Sequence, residues 1–221
     1  MIGEGDSKEA RIYVIIAFLI ILVVIFAVVF SGNQLRQAYV PHDFLGDGWC
    51  EDLVERDSGS QFLGLGKWGS LTYKIDCNYT TYLTITTIKT LVMMGEKELR
   101  DKTGETMEKA LNIGIMLEDD TKITGERLLK NGHKTMYVIY NGTDTSKNPC
   151  EQVKIIGEVW NCGKSGTSVI CLGLAQITDN AHNNSKINAT YWEKIVGDKE
   201  GTFGTEGFQV EDGLIYNVIC H

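Results

Sequence analysis

From Ile12 to Phe30 the chain carries no charged residue, no Gly and no Pro. At about 1.5 Å of rise per residue, a helix over this span is roughly 28 Å long, close to the hydrocarbon thickness of a bilayer. The run is apolar on every face and lacks the polar stripe of a surface helix. The pattern therefore predicts a transmembrane helix at 12–30 that acts as an uncleaved signal-anchor. A cleaved signal peptide is the rival, with Val29 and Ser31 in the −3 and −1 positions, but its apolar region is usually shorter. Lys8 and Arg11 precede the run and Arg36 follows it. That bias predicts a short cytoplasmic tail at 1–11 and a C-terminal domain outside the cell membrane, in single-pass topology.

Beyond the run the pattern changes twice. Residues 31–69 are rich in polar and turn residues, with Pro41, Gly46-Asp47-Gly48 and Asp57-Ser58-Gly59, and read as a stalk. Residues 70–221 read as the folded domain. There, 71–76 and the Thr-rich 82–92 have the β-branched content and alternation of strands. The period lengthens over 96–111, where Leu99, Thr103, Met107, Ala110 and Leu111 share a helical face and Glu96/Arg100, Glu98/Lys102 and Glu105/Lys109 stand at i,i+4. Glu118-Asp119-Asp120 reads as a turn. Further strands are predicted at 121–128, 134–140, 152–160 and 168–177, with Asn131-Gly132 and Asn141-Gly142 as hairpin turns. A second helix starts near Ala189, and 208–220 reads as a last strand. Many consecutive strands with few helices predict an α+β fold: an antiparallel β-sheet with packed helices, preceded by the N-terminal transmembrane helix.

The net charge of −8 excludes nucleic acid as a partner, since phosphate binding needs a local excess of Lys and Arg. All six cysteines, Cys50, Cys77, Cys150, Cys162, Cys171 and Cys220, follow the apolar run. An even number on the predicted exterior reads as three disulfides. Cys162–Cys171 is the pair that a hairpin through Gly163-Lys164-Ser165-Gly166-Thr167 would staple, with Cys150 as competitor. No tight CxxC pair is present, so neither metal nor cofactor is expected. The sequons at Asn78, Asn141, Asn183 and Asn188 fit a glycoprotein.

Candidate chemistry is thin. Gly163-Lys164-Ser165 ends like a phosphate loop, but the first Gly of the required spacing is missing, since position 158 is Glu. Arg56-Asp57-Ser58-Gly59 with His42 or His133 lists the ingredients of a hydrolase without its spacing. His42, His133, His182 and His221 stand singly and read as surface or turn histidines. Trp49, Trp68, Trp160 and Trp192 read as core.

Leu129-Lys130-Asn131-Gly132-His133, the Tyr- and Val-rich strand at 134–140 and Tyr191-Trp192-Glu193-Lys194-Ile195-Val196 resemble PsbP-like domains. In that family a strand pair leads into a helix, a turn of this kind introduces such a strand, and a helix closes the fold. The likeness covers residues 71–196, and the cysteines and the C-terminal strand depart from it. It implies a fold and leaves function open. Together these features predict a non-enzymatic, membrane-anchored extracytoplasmic binding or structural domain of the cell envelope. Its expected partners are the lipid bilayer, through Ile12 to Phe30, and another envelope or membrane protein. The alternatives are a type IV pilin-like filament subunit, an accessory subunit of a membrane complex and an extracytoplasmic hydrolase.

Overall fold

The computed structural model describes residues 16–21, 35–46, 48–61, 66–75, 80–90, 92–111, 114–179, 189–197 and 213–221. The chain divides into two units, 1–34 and 35–221. In the first, 16–21 is helical with exposed side chains. The rest of the span from Ile12 to Phe30 lies outside the described residues. Among the described residues no helix is long and apolar enough to cross a membrane. The expected signal-anchor and single-pass topology are therefore corrected: apolar composition and the flanking Lys8, Arg11 and Arg36 predicted them, and no helix among the described residues supports them.

The second unit is built on one antiparallel sheet of seven strands. They are β1 (Trp49–Gln61), β2 (Gly66–Ile75), β3 (Tyr82–Lys89), β4 (Ile115–Leu128), β5 (Lys134–Asp144), β6 (Glu151–Cys162) and β7 (Thr167–Gln176). Their order is β1-β2-β3-β7-β6-β5-β4. Helix α1 (Glu96–Leu111) carries the chain from β3 to the far edge at β4, and α2 (Ala189–Val196) follows β7. The α+β expectation is corrected accordingly: strands dominate, and the helices, of 16 and 8 residues, are additions to the sheet.

Alternation assigns the faces. On β3, Leu83, Ile85 and Thr87 are buried on one side. Leu83 and Ile85 join Leu71, Ile156, Trp160 and Val169 in the largest core cluster, roofed by Trp192 and Ile195 of α2 and by Leu214, Ile215 and Val218. The opposite face carries two smaller clusters under α1, where Met107 meets Ile155 and Leu174, and Leu99 meets Val159 and Ile170. Each helix comes close enough to need a glycine beneath it. A Cβ on Gly173 would stand 2.6 Å from Ile195 Cγ2, and one on Gly157 would stand 2.6 Å from Thr103 Cγ2.

Further local expectations change. All of β1 lies within the segment read as a stalk, because its polar, turn-rich residues form a largely exposed sheet edge. Glu118-Asp119-Asp120 is not a turn but part of β4, the other edge, where a register irregularity falls between Glu118 and Ile123. Charged residues and bulges are common protection for such edges. Asn141-Gly142 sits inside β5, paired with Glu118 and Leu117. Asn131-Gly132 does form the β4–β5 turn, with Gly132 at φ 83°. The described end of the expected last strand, 213–220, is instead a turn followed by one bridge between Tyr39 and Ile219.

Candidate functional site

Two places in the second unit gather chemistry. The first is a groove between α1 and strands β4 to β6, with a cavity volume of about 650 Å³. Met107, Leu117, Met136, Val138, Tyr140 and Val159 give it an apolar lining. Arg100, Glu108, Asp119, Lys122 and Glu126 add charge, and Lys122 Nζ stands 5.7 Å from the Tyr140 ring centroid. The groove exists because α1 docks over β6 while β4, at the sheet edge, stays largely exposed. Its lining has Thr103 and Thr124 but no Cys, His or Ser among the described residues.

The second place lies at the end of the sheet where the β4–β5 and β6–β7 turns come together with the C-terminal segment. His133 closes the first turn, its N–H donating to Asn131 Oδ1 at 3.0 Å. Cys162 ends β6 and its carbonyl accepts from Gly166 N–H at 2.9 Å. Cys220 and His221 are held there by paired backbone bonds of 2.9 Å between Tyr39 and Ile219, and by Asn131 Nδ2 donating to Val218 O at 2.9 Å. One ligand-type atom from each of His133, Cys162, Cys220 and His221 lies within 4.8 Å of all the others. His221 Nδ1 is 3.6 Å from Cys162 Sγ and 3.7 Å from Cys220 Sγ. The His133 and His221 rings meet edge to face at 5.7 Å.

The environment of this cluster is dry on the inside. Cys162 and Cys220 are buried, and His133 Nε2 is buried without a hydrogen-bond partner. Burial, then the charges of His221 and Lys164, depress the His133 imidazole below its ordinary value. Burial pushes the Cys220 thiol up to about 12, with neighbouring Cys162 acting in the same direction. The Trp160 indole N–H has no acceptor at normal geometry, yet it faces Cys220 and favours its thiolate. On the solvent side, Lys164 Nζ is 3.3 Å from His221 Nε2.

The same sheet also holds a buried ion pair. Arg127 Nη2 and Nε donate to Glu158 Oε2 and Oε1 at 2.6 and 2.8 Å, and Thr135 Oγ1 donates to Oε1 at 2.6 Å. Arg127 Nη1 also donates to Val196 O at 2.8 Å, tying the edge strand β4 to the end of α2.

The expected disulfide framework is corrected. Cys50, Cys162, Cys171 and Cys220 are thiols, so three disulfides cannot form from six cysteines. The Cys162–Cys171 staple fails on register: Cys162 pairs with Thr167, whereas Cys171 lies four residues along β7 opposite Glu158. At about 3.3 Å per residue the two are more than a disulfide's reach apart. Burial, and then Glu158, raise the Cys171 thiol well above its ordinary value. Cys150 is exposed, and Cys77 lies outside the described residues.

The other candidate residues scatter. Asn141 is half-buried in β5, with its backbone N–H on Thr121 Oγ1 at 2.8 Å. Asn78, Asn183, Asn188 and His182 lie outside the described residues. His42 is exposed in a 3-10 turn at His42–Phe44, and Ser58 is exposed on β1. Lys164 and Ser165 stand in the β6–β7 turn. Trp49, Trp160 and Trp192 are buried. Sequence spacing missed the cluster because its residues come from three segments, and a scan for tight Cys pairs discards such a set. The adjacent pair Cys220-His221 was the available signal. No family model, no curated protein and no solved structure matches this chain.

Proposed function

We propose that the chain is a non-catalytic binding module that takes a small amphipathic ligand into the groove between α1 and β4–β6. The observation that carries this reading is the groove itself, about 650 Å³ with an apolar lining and charged groups around it. That volume falls within the range of small-molecule sites, where apolar walls supply affinity and a few polar groups fix orientation. Met107 and Met136 suit such a lining, because thioether side chains adapt to the shape of a guest.

Gly104 lines the groove from α1, and a Cβ there would meet nothing within 4 Å. Gly104→Trp fills the groove from its open side. Anilinonaphthalene sulfonate, an apolar ring system with one anionic end, serves as the probe. The native chain is expected to bind it saturably at one site, with a gain in fluorescence. Gly104→Trp is expected to weaken binding at least tenfold while thermal stability holds. Equal binding by both proteins would remove the groove as the site.

A further inference from the structure

We propose that His133, Cys162, Cys220 and His221 form a tetrahedral zinc site that fastens the C-terminal segment to one end of the sheet. This goes beyond the groove and does not depend on it.

The donor set is chemically matched to zinc. Two thiolates and two imidazoles make a four-coordinate structural site, and their combined charge of two cancels that of the ion. Neutrality matters here because Cys162 and Cys220 are buried and an uncompensated charge would be costly. Zinc–sulfur bonds near 2.3 Å and zinc–nitrogen bonds near 2.0–2.1 Å put tetrahedral ligand atoms about 3.4–3.8 Å apart. The contacts of His221 Nδ1 with the two sulfurs, 3.6 and 3.7 Å, already have that spacing. All four ligand atoms lie within 4.8 Å of one another, so the remaining separations exceed the spacing around a bound zinc by about 1 Å at most, a difference within reach of side-chain adjustment.

A second observation points to a ligand independently of the spacing. His133 Nε2 is buried and has no hydrogen-bond partner, and such orphaned polar atoms call for a partner outside the protein's own groups. The surroundings also fix the tautomer of His221. Zinc on Nδ1 leaves the proton on Nε2, which then faces the Lys164 ammonium at 3.3 Å. Two donors cannot share that contact, so the exposed Lys164 side chain swings into solvent when the ion binds. Lys164 therefore opposes metal entry, while the exposed side of His221 provides the path.

The test uses the full chain, reduced, with no histidine tag, titrated with Co²⁺ and then Zn²⁺. One Co²⁺ per chain is expected, with the visible d–d absorption of a tetrahedral site and a thiolate charge-transfer band. Zn²⁺ is expected to displace it, and each ion to raise the melting temperature. Cys162→Ser and Cys220→Ser should each abolish the charge-transfer intensity contributed by their sulfur. Because either serine variant could fail to fold, His133→Asn at the half-exposed turn is the second variant, and its Zn²⁺ affinity should fall at least tenfold with an unchanged circular dichroism spectrum. Lys164→Gln should tighten Zn²⁺ several-fold. Octahedral Co²⁺ spectra, His133→Asn binding Zn²⁺ as well as the native chain, or a Cys162–Cys220 disulfide in the untreated protein would each overturn the proposal.

Discussion

The two faces of the sheet bury their side chains in different ways. Among the described residues, the face beneath α2 is sealed by three separate pieces of chain: the segment ahead of β1, the helix, and the C-terminal segment 213–221, whose Ile219 bridges Tyr39. Among the described residues, the face beneath α1 has one helix over it, two smaller clusters and an open groove beside them. The sealed side also contains the Arg127–Glu158 pair and the Cys/His cluster, whereas the α1 side keeps the charges of its groove at the solvent boundary and buries Asp144 and Glu151, each bonded to hydroxyls, at one end of β5 and β6. The buried carboxylates of both faces are hydrogen-bonded within the protein, whereas His133 Nε2 and the Trp160 and Trp192 indole nitrogens are buried without a partner. A ligand site remains where coverage is incomplete.

The largest effect expected from breaking this contrast is at the buried pair. Arg127→Met leaves Glu158, fully buried, with Thr135 as its remaining hydroxyl donor. Removing one partner of such a pair costs about 3–5 kcal/mol. Urea unfolding should show that loss, and the double variant with Glu158→Met should recover part of it. A single variant within about 1 kcal/mol of native would mean that water reaches the pair.

A smaller loss is expected on the open face. In Gly157→Ala the new methyl would press on Thr103 Cγ2 at 2.6 Å and approach Met107 Sδ at 3.3 Å. Overpacking of this kind costs about 1–3 kcal/mol. It should loosen α1 alone, read as faster amide exchange along that helix. Thr103→Ser removes the clashing methyl and keeps the hydroxyl bond to Leu99 O, 2.8 Å in the native chain, so the double variant should restore protection. Failure of that rescue would place the strain elsewhere.

The smallest effect is expected at the rim, where the same kind of charge pair meets water. The Lys74 ammonium, and then the Val54 N–H, hold the Asp52 carboxyl below its usual range. A depressed carboxylate stabilises the fold above its unfolded value near 3.9, and that contribution disappears as pH falls through the folded value. Asp52→Asn should therefore flatten the acid side of the stability profile below about pH 4 and change little at neutral pH. An unchanged acid limb would show that the pair forms no lasting contact.

The α1 boundaries, the central strands β5 to β7, α2 and the Asn131-Gly132 turn were readable from period and turn chemistry, because local geometry constrains those residues directly. The edges were not. The charged strand β1 and the acidic stretch Glu118-Asp119-Asp120 of β4 look like loop and turn, although 121–128 of β4 reads as a strand, since their polarity reflects exposure at an edge rather than irregularity. Asn141-Gly142 carries a turn signature, yet Gly142 is needed inside β5, where a Cβ would stand 2.7 Å from Met116 O. The transmembrane reading of 12–30 rested on apolarity, length and flanking charge, which do not by themselves specify a spanning helix.

By itself, then, the sequence determined the periodic elements: that β3, β5, β6 and β7 are strands, the span of α1 and the start of α2. The tertiary structure decided which turns share an end of the sheet, and so brought His133 and Cys162 to Cys220-His221. It also decided that Cys171 faces Glu158 instead of Cys162, and that α1 leaves a groove beside β4. Periodicity is a property of neighbours along the chain, whereas a site is a property of neighbours in space. Only the pairing register and the packing of distant segments convert one into the other.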